Sequence, residues 1–352
     1  MHNWSRWKLY PLGIFMVMPR FLFAFVLFLI GGAVAKLCYF GCDIKRPLPY
    51  GLRRLIFIYI VNKLICRLIL FACNCSVEYT QHEEKDVDYS KYLGPNWRES
   101  KFTGKNVPLM ISNHVGFFEY IFYMAYCPRP PGFVASHFIK EFAIGGFYTE
   151  IVQSEYVNRT LDKEALDKRV EEFKTRAEMV EKSDEPWGPL CFFAEGTATN
   201  GENLNRFRRG AFAPLRPMHP CWFRYHWSTV SPDYAALRGF DYGFLLVCMP
   251  FPIRTEVHHL PVFVPNDYLF TEYAKTIEGH ETMEKWEIYA HAVRDLIKRE
   301  GNFGDNYQPN RDKVSLQQFL WGKKDEITIN DKTYYWPPRP SSGSGKDDKK
   351  DK

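Results

Sequence analysis

The chain has 352 residues, 46 basic against 41 acidic for a net charge of +5, and 17% of its residues are aromatic. That length allows one large domain or two, the small positive charge argues against a nucleic-acid-binding protein, and so many aromatic rings suit a protein that lies against lipid. The nine cysteines are scattered with no C-x-x-C or metal-like spacing, so reduced thiols facing cytosol are expected, and neither a disulfide framework nor a zinc site is indicated.

From the amino terminus, Phe21 to Ala35 is uncharged, and the stretch stays apolar to Cys42 apart from Lys36. About twenty apolar residues reach across a bilayer core, so residues 21–42 are predicted to cross the membrane or re-enter it. The long basic region before them, with no small-residue cleavage site, argues against a removed signal peptide. A turn at Lys45–Gly51 follows. The second apolar stretch, Leu55 to Cys73, carries Lys63 and Arg67 one turn apart after Arg53 and Arg54. Two cations on one face predict a helix lying in the interface.

Val107 to Ile111 is a short apolar run read as a buried strand, and Pro189 to Phe193 is another. The first leads into Ser112-Asn113-His114-Val115-Gly116-Phe117-Phe118-Glu119, the second into Ala194-Glu195-Gly196-Thr197. Both motifs fall at carboxyl ends of strands, where open α/β sheets place their sites. Residues five apart lie roughly 140° from a common helix face, so His114 and Glu119 meet only if the histidine sits in the loop and the carboxylate on the first turn of a helix, Phe117–Tyr126. There a carboxylate fixes the tautomer of a neutral imidazole and stabilises the imidazolium formed when the other nitrogen takes a proton. His114 is thus a candidate general base, although an isolated His-x4-Glu also fits a core histidine with a chance acidic neighbour.

Asp162 to Lys182 and Met283 to Arg299 both show amphipathic helical spacing. Arg206-Phe207-Arg208-Arg209-Gly210-Ala211-Phe212 sets three arginines within four positions, suited to charge-assisted phosphate contacts, while Gly196 lets backbone amides approach an anion. Phe207 and Phe212 among the arginines argue for a partly buried segment rather than a solvated turn. Trp222, Phe223, Tyr225, His226 and Trp227 are either core or an aromatic wall for a quaternary ammonium. The end, Ser341–Gly345 and then Lys346–Lys352, is flexible and charged.

These residues resemble the glycerolipid acyltransferase family of the PlsC type, which carries His-x4-Asp, a later arginine, Phe-Pro-Glu-Gly-Thr and a proline-containing fourth block. Within it they are similar to the lysophosphatidylcholine acyltransferase branch: Glu195–Asn200, Arg209–Phe212, Arg216–Pro220 through Phe223–Tyr225, and Leu260–Asp267 have counterparts in the same order. The resemblance implies an α/β fold, a single acyltransferase domain over 76–330 with a mixed central sheet flanked by helices. A membrane anchor at 1–75 would precede it and a disordered charged tail at 331–352 would follow. It implies transfer from acyl-CoA, a co-substrate rather than a cofactor, to the free hydroxyl of a lysophospholipid, with lysophosphatidylcholine the expected acceptor. Lysophosphatidic acid or glycerol-3-phosphate is the alternative, and a catalytically inactive lipid-binding relative is the reading from another class.

By the same resemblance His114 is the base, Glu119 its partner, and Glu195, Gly196 and Thr197 belong to the acceptor or phosphate site, beside Arg208 and Arg209. Arg159 matches either the family's second-block arginine or an ordinary surface arginine, and no metal is implied. Glu119 stands where the family has Asp, adding one methylene of reach; Ala194 stands where it has Pro, which removes a rigid φ but no functional group. Lys349 and Lys350 resemble the dilysine retrieval signal of endoplasmic-reticulum membrane proteins. That signal implies an endoplasmic-reticulum membrane protein whose catalytic domain and tail face the cytosol, with membrane lipid as a partner.

Overall fold

The two apolar runs read as strands are the centre of one mixed sheet. Its strands are β1 (Cys75–Gln81), β2 (Leu109–Ser112), β3 (Gly132–Ser136), β4 (Glu155–Val157), β5 (Leu190–Phe193), β7 (Met218–His226) and β8 (Ile253–His259), while β6 (Asn203–Leu204) pairs apart with β9 (Gly304–Asp305). The computed structural model describes residues 12–116, 118–141, 143–157, 163–227, 231–233, 252–306, 310–320, 322–329 and 332–335. The order across the sheet is β1-β8-β7-β2-β5-β3-β4. From β7 to β4 the strands are parallel; β8 runs antiparallel to β7, and β1 runs parallel to β8. Leu109 to Ser112 are all buried, as expected of a parallel strand covered on both faces.

Alternate residues of the central strands feed two separate hydrophobic layers. Leu109, Ile111, Leu190 and Phe192 join a cluster with Phe173, Ala177, Val293 and Ile297, from the amphipathic helices α5 (Lys163–Lys182) and α6 (Lys285–Gly301). Met110 and Cys191 join the other cluster, with Phe118, Phe122, Ala35 and Val61. These come from α3 (Phe118–Tyr126), α1 (Leu12–Tyr39) and α2 (Leu52–Ala72), whose middle, Phe57–Ile65, is wound as a π-helix. Between α3 and α5 lies α4 (Ala143–Ile151), and α7 (Asn310–Leu320) follows α6.

Helices α1 and α2 are long and apolar enough to cross a membrane, yet both share a core with the sheet-bearing part of the chain. The boundary expected at residue 75 falls at the first residue of β1, shortly after α2, and the packing runs across it. The two faces of α1 explain this double character. Gly31, Ala35 and Cys38 recur at helical spacing on the inner face, where Ala35 is fully buried and a Cβ on Gly31 would collide with the Tyr148 hydroxyl. Tyr39 anchors the end of the helix by donating to the Ile151 carbonyl at 2.8 Å. Phe15, Met18, Leu22, Phe25 and Leu29 form a stripe on the opposite face, and all are exposed, Phe15 to 78%. A helix apolar all round and packed on protein along one side presents the other to lipid. Leu22→Glu with Leu29→Glu should therefore release the chain from the membrane fraction, since each charge costs about 3 kcal/mol at a bilayer centre. Flotation on a lipid gradient measures it, and undiminished co-flotation of the double variant would contradict the lipid-facing assignment.

One expectation for the carboxyl terminus is corrected. Lys332–Tyr335, placed above in the disordered tail, forms strand β11 and pairs antiparallel with β10 (Glu326–Ile329), Ile329 opposite Lys332. The β-branched and aromatic residues of Ile327-Thr328-Ile329 and Thr333-Tyr334-Tyr335, flanking Asn330-Asp331, carry a hairpin signal that the charged composition of the end obscured. Residues 336–352, including Lys349 and Lys350, lie outside the described residues.

Candidate active site

Strands β2 and β5 are direct neighbours in parallel register, Ser112 beside Phe193, so the loops that leave them emerge side by side. Asn113 sets the direction of the first loop. The β2–β7 ladder ends at Ile111 opposite Pro220, and the fully buried Asn113 side chain continues it. Its Nδ2 donates to the Phe223 carbonyl, and its Oδ1 accepts the Phe223 amide, both at 3.0 Å. With the ladder satisfied by a side chain, the main chain is free to lift away and carry His114 out of the sheet.

His114 meets Glu119 as the spacing required. Glu119 lies on the first turn of α3, fully buried, and its Oε2 is 3.0 Å from His114 Nδ1. The other oxygen, Oε1, accepts the Gly116 amide at 2.6 Å and the Tyr225 hydroxyl at 2.8 Å. The carboxylate therefore receives donors on both sides, which is how a buried charge is tolerated. The imidazole stacks on Phe193 with ring centres 4.4 Å apart, and Tyr120 approaches edge-on at 6.4 Å. The His114 side chain keeps 17% of its surface exposed, and no described residue hydrogen-bonds its Nε2. A ring clamped from one nitrogen and open at the other is equipped to accept a proton from a bound molecule.

Glu195 lies beneath this loop, not at its surface. It is fully buried; its Oε1 accepts the His114 amide at 3.1 Å, and its Oε2 accepts the Asn205 amide at 2.9 Å. Thr199 closes the junction from the other side, its amide donating to the His114 carbonyl at 2.7 Å. The segment Leu204–Asn205, at the end of β6, is held by Arg294 of α6, buried, which donates to the carbonyls of both residues and pairs with Asp305 at 2.9 Å. The second motif thus supports the first through backbone amides. Gly196 adopts φ +70, and a Cβ there would sit 3.2 Å from Arg208 Cγ, so the left-handed conformation and the arginine stem both favour glycine. Thr197 is half-buried in the same turn.

The basic segment separates by partner. Arg206 pairs with Glu287 at 2.9 Å and Arg209 with Asp167 at 2.6 Å. Arg208 is exposed, lies over Gly196, and has no ion-pair partner among the described residues. Phe207 and Phe212 are buried, their rings stacked on each other. Of the arginines expected near phosphate, Arg208 is the one both adjacent to the loop and uncommitted. Arg159 lies outside the described residues.

The aromatic wall is not formed as one surface. Side chains alternate along β7, so Trp222 stacks on His258 at 3.8 Å and His226 pairs with Glu256 at 3.0 Å, while Phe223 enters the core and Tyr225 turns to Glu119. Other candidates for the chemistry are disabled by burial. It holds His219 down to about 4 and His259 to about 3, so both are neutral, and it raises the Cys191 and Cys221 thiols well above their ordinary range, so neither is a ready thiolate. Among the described residues no group of three or more His, Cys, Asp or Glu is placed to share a metal.

Sequence reading singled out His114, Glu119 and Gly196; it gave no such role to Asn113, Phe193 or Arg294, and it named Tyr225 only as a member of an aromatic cluster. Asn113 and Phe193 were visible only as neighbours of the two motifs. Arg294 left one trace, a cation among the apolar positions of an amphipathic helix.

No family model matches the chain. Among curated proteins it is similar to the lysophospholipid acyltransferase LPEAT2 of Arabidopsis thaliana, 28% identical over 249 residues, which are 68% of this chain and 39% of the relative. LPEAT1 of the same plant is 26% identical over 55% of this chain and 44% of its own length, and human lysophosphatidylcholine acyltransferase 1 is 30% identical over 36% and 23%. The chain spans less than half the length of these relatives. A solved structure, the 1-acyl-sn-glycerophosphate acyltransferase PlsC of Thermotoga maritima, aligns with TM-score 0.49 and 12% identity over 84% of this chain and 98% of that one. Over part of their length, then, the chain is similar to lysophospholipid and lysophosphatidylcholine acyltransferases, the group that its ordered motifs resemble.

Proposed function

We propose that this chain transfers a fatty acyl group from acyl-CoA to the free glycerol hydroxyl of a lysophospholipid, with lysophosphatidylcholine the first acceptor to test. The observation that carries the reading is the His114–Glu119 contact: a buried carboxylate on Nδ1 and an open Nε2, at the carboxyl edge of the sheet. Glu119 holds the proton on Nδ1, so Nε2 is free to take the proton of the acceptor hydroxyl as that oxygen attacks the thioester carbonyl. The tetrahedral intermediate then expels the CoA thiolate, which receives the proton from the imidazolium, and an ester replaces the thioester. No protein nucleophile takes part.

Glu195 serves this step through the loop, keeping the His114 and Asn205 amides in place, while Arg208 over Gly196 contributes the charge for a phosphate of the acceptor or of CoA. The outward apolar stripe of α1 supports work at a membrane surface, where both substrates partition. An endoplasmic-reticulum membrane with the site facing the cytosol is the location this reading assigns. The assembled His114–Glu119 pair favours an active enzyme over an inactive lipid-binding relative.

Membranes carrying the protein, a labelled acyl-CoA and a panel of lysophospholipids, lysophosphatidic acid and glycerol-3-phosphate test the reading. A diacyl product from one or more lysophospholipids is expected, and no product from any of them would overturn it. Arg208 gives a finer test. Arg208→Ala should raise KM for the phosphate-bearing substrate about tenfold with little change in kcat, and Arg209→Ala, which severs only the Asp167 pair, should change KM less than about twofold. Equal effects of the two substitutions would return Arg208 to ordinary surface.

A further inference from the structure

Strand β7 extends past the end of β2, its last paired residue there being Pro220, while Phe223 and Tyr225 continue on the side of α3, both rings against Phe122 at 6.4 and 5.8 Å. Tyr225 thereby comes under the loop of His114, and its hydroxyl donates to Glu119 Oε1 at 2.8 Å. The same oxygen takes the Gly116 amide at 2.6 Å, and Oε2 is left to His114 Nδ1 at 3.0 Å. A glutamate has one more side-chain torsion than an aspartate, and its carboxylate has more orientations to lose. Three donors on two oxygens leave it one orientation.

We propose that Tyr225 is a positioning residue of the acyl-transfer site, fixing the plane of the Glu119 carboxylate so that Oε2 faces His114. This rests on the reading of His114 as the base. Tyr225 acts through the dyad and touches no substrate, so its hydroxyl matters for turnover and not for binding. The arrangement also fits a glutamate rather than an aspartate at residue 119, because a carboxylate one methylene shorter on the same turn of α3 cannot reach both His114 on the loop and Tyr225 on β7.

The test uses the full chain in vesicles with labelled acyl-CoA and an acceptor that the wild type accepts. Wild type, His114→Ala, Tyr225→Phe, Glu119→Asp and the double variant Tyr225→Phe/Glu119→Asp are compared. Tyr225→Phe keeps the ring that packs on Phe122, so the melting temperature should stay near that of wild type. Its kcat should fall about tenfold to a hundredfold, the cost of a misaligned catalytic group, with KM for both substrates unchanged. In the Glu119→Asp background the same substitution should cost much less, a coupling that a merely structural tyrosine does not show. Wild-type kcat in Tyr225→Phe, a change confined to KM, or equal losses in both backgrounds would each overturn the role of Tyr225 while an inactive His114→Ala left the base intact. A wild type inert on every acceptor overturns the reading and this proposal together.

Discussion

Replacing Glu119 with glutamine should lower turnover by about 10³–10⁴-fold while the fold and substrate binding persist. The direction follows from the donors already present. Gly116 and Tyr225 both present hydrogens to the Oε1 position, so the amide oxygen of a glutamine is drawn there and its NH2 group is turned to His114. That group donates to Nδ1 and drives the ring proton onto Nε2, the nitrogen that must accept one. The charge facing the imidazolium is lost as well. An inverted tautomer with no counter-charge is costly in the same way as an amide in place of a triad carboxylate. Glu119→Asp keeps the charge and forfeits reach, so its activity should lie between glutamine and wild type. Steady-state kinetics on the three proteins measures the order; equal turnover of Glu119→Gln and wild type would make Glu119 a bystander.

His114→Ala should reduce kcat about 10³-fold or more, since it removes a basic nitrogen that stands open on a clamped ring. Stability should change little. The lost side chain is partly exposed and borne by a loop, and the buried Glu119 carboxylate that remains still accepts Gly116 and Tyr225. Melting curves check the second half of the expectation, and a large drop in melting temperature would show that the imidazole is a packing element.

Those parts of the site that depend on local spacing were legible in the sequence. The runs before Ser112 and Ala194 gave β2 and β5, and the five-residue separation of His114 and Glu119 dictated a loop followed by a helix turn, as found. Amphipathic periodicity placed α5 and α6 within two residues of their observed ends. The parts that depend on strand neighbours were not legible. Tyr225 stands 106 positions from Glu119, and only the order β7-β2-β5 brings it there. The same alternation on β7 that aims Tyr225 inward divides the supposed aromatic wall between two faces.

Burial was the other blind spot. Glu195, given to the acceptor or phosphate site by resemblance, is held under the loop by two amides, and nothing local signals that Asn205, just after β6, returns across it. Likewise α2 carries cations spaced for an interfacial helix, but its composition does not reveal that Phe57, Val61 and Leu70 pack into the core that contains Phe118 and Phe122. An apolar face suits protein and lipid equally, and only the fold divides α1 between them.

Histidine-catalysed acyl transfer is tested most directly by the stoichiometry of transfer by purified wild-type protein and His114→Ala, followed in one reaction by the CoA thiol released and the diacyl ester formed. The wild type is predicted to release one thiol per ester, with neither product above background in the variant. Undiminished ester formation by His114→Ala, or thiol release by the wild type without ester, would contradict a histidine-catalysed acyl transfer to the acceptor hydroxyl.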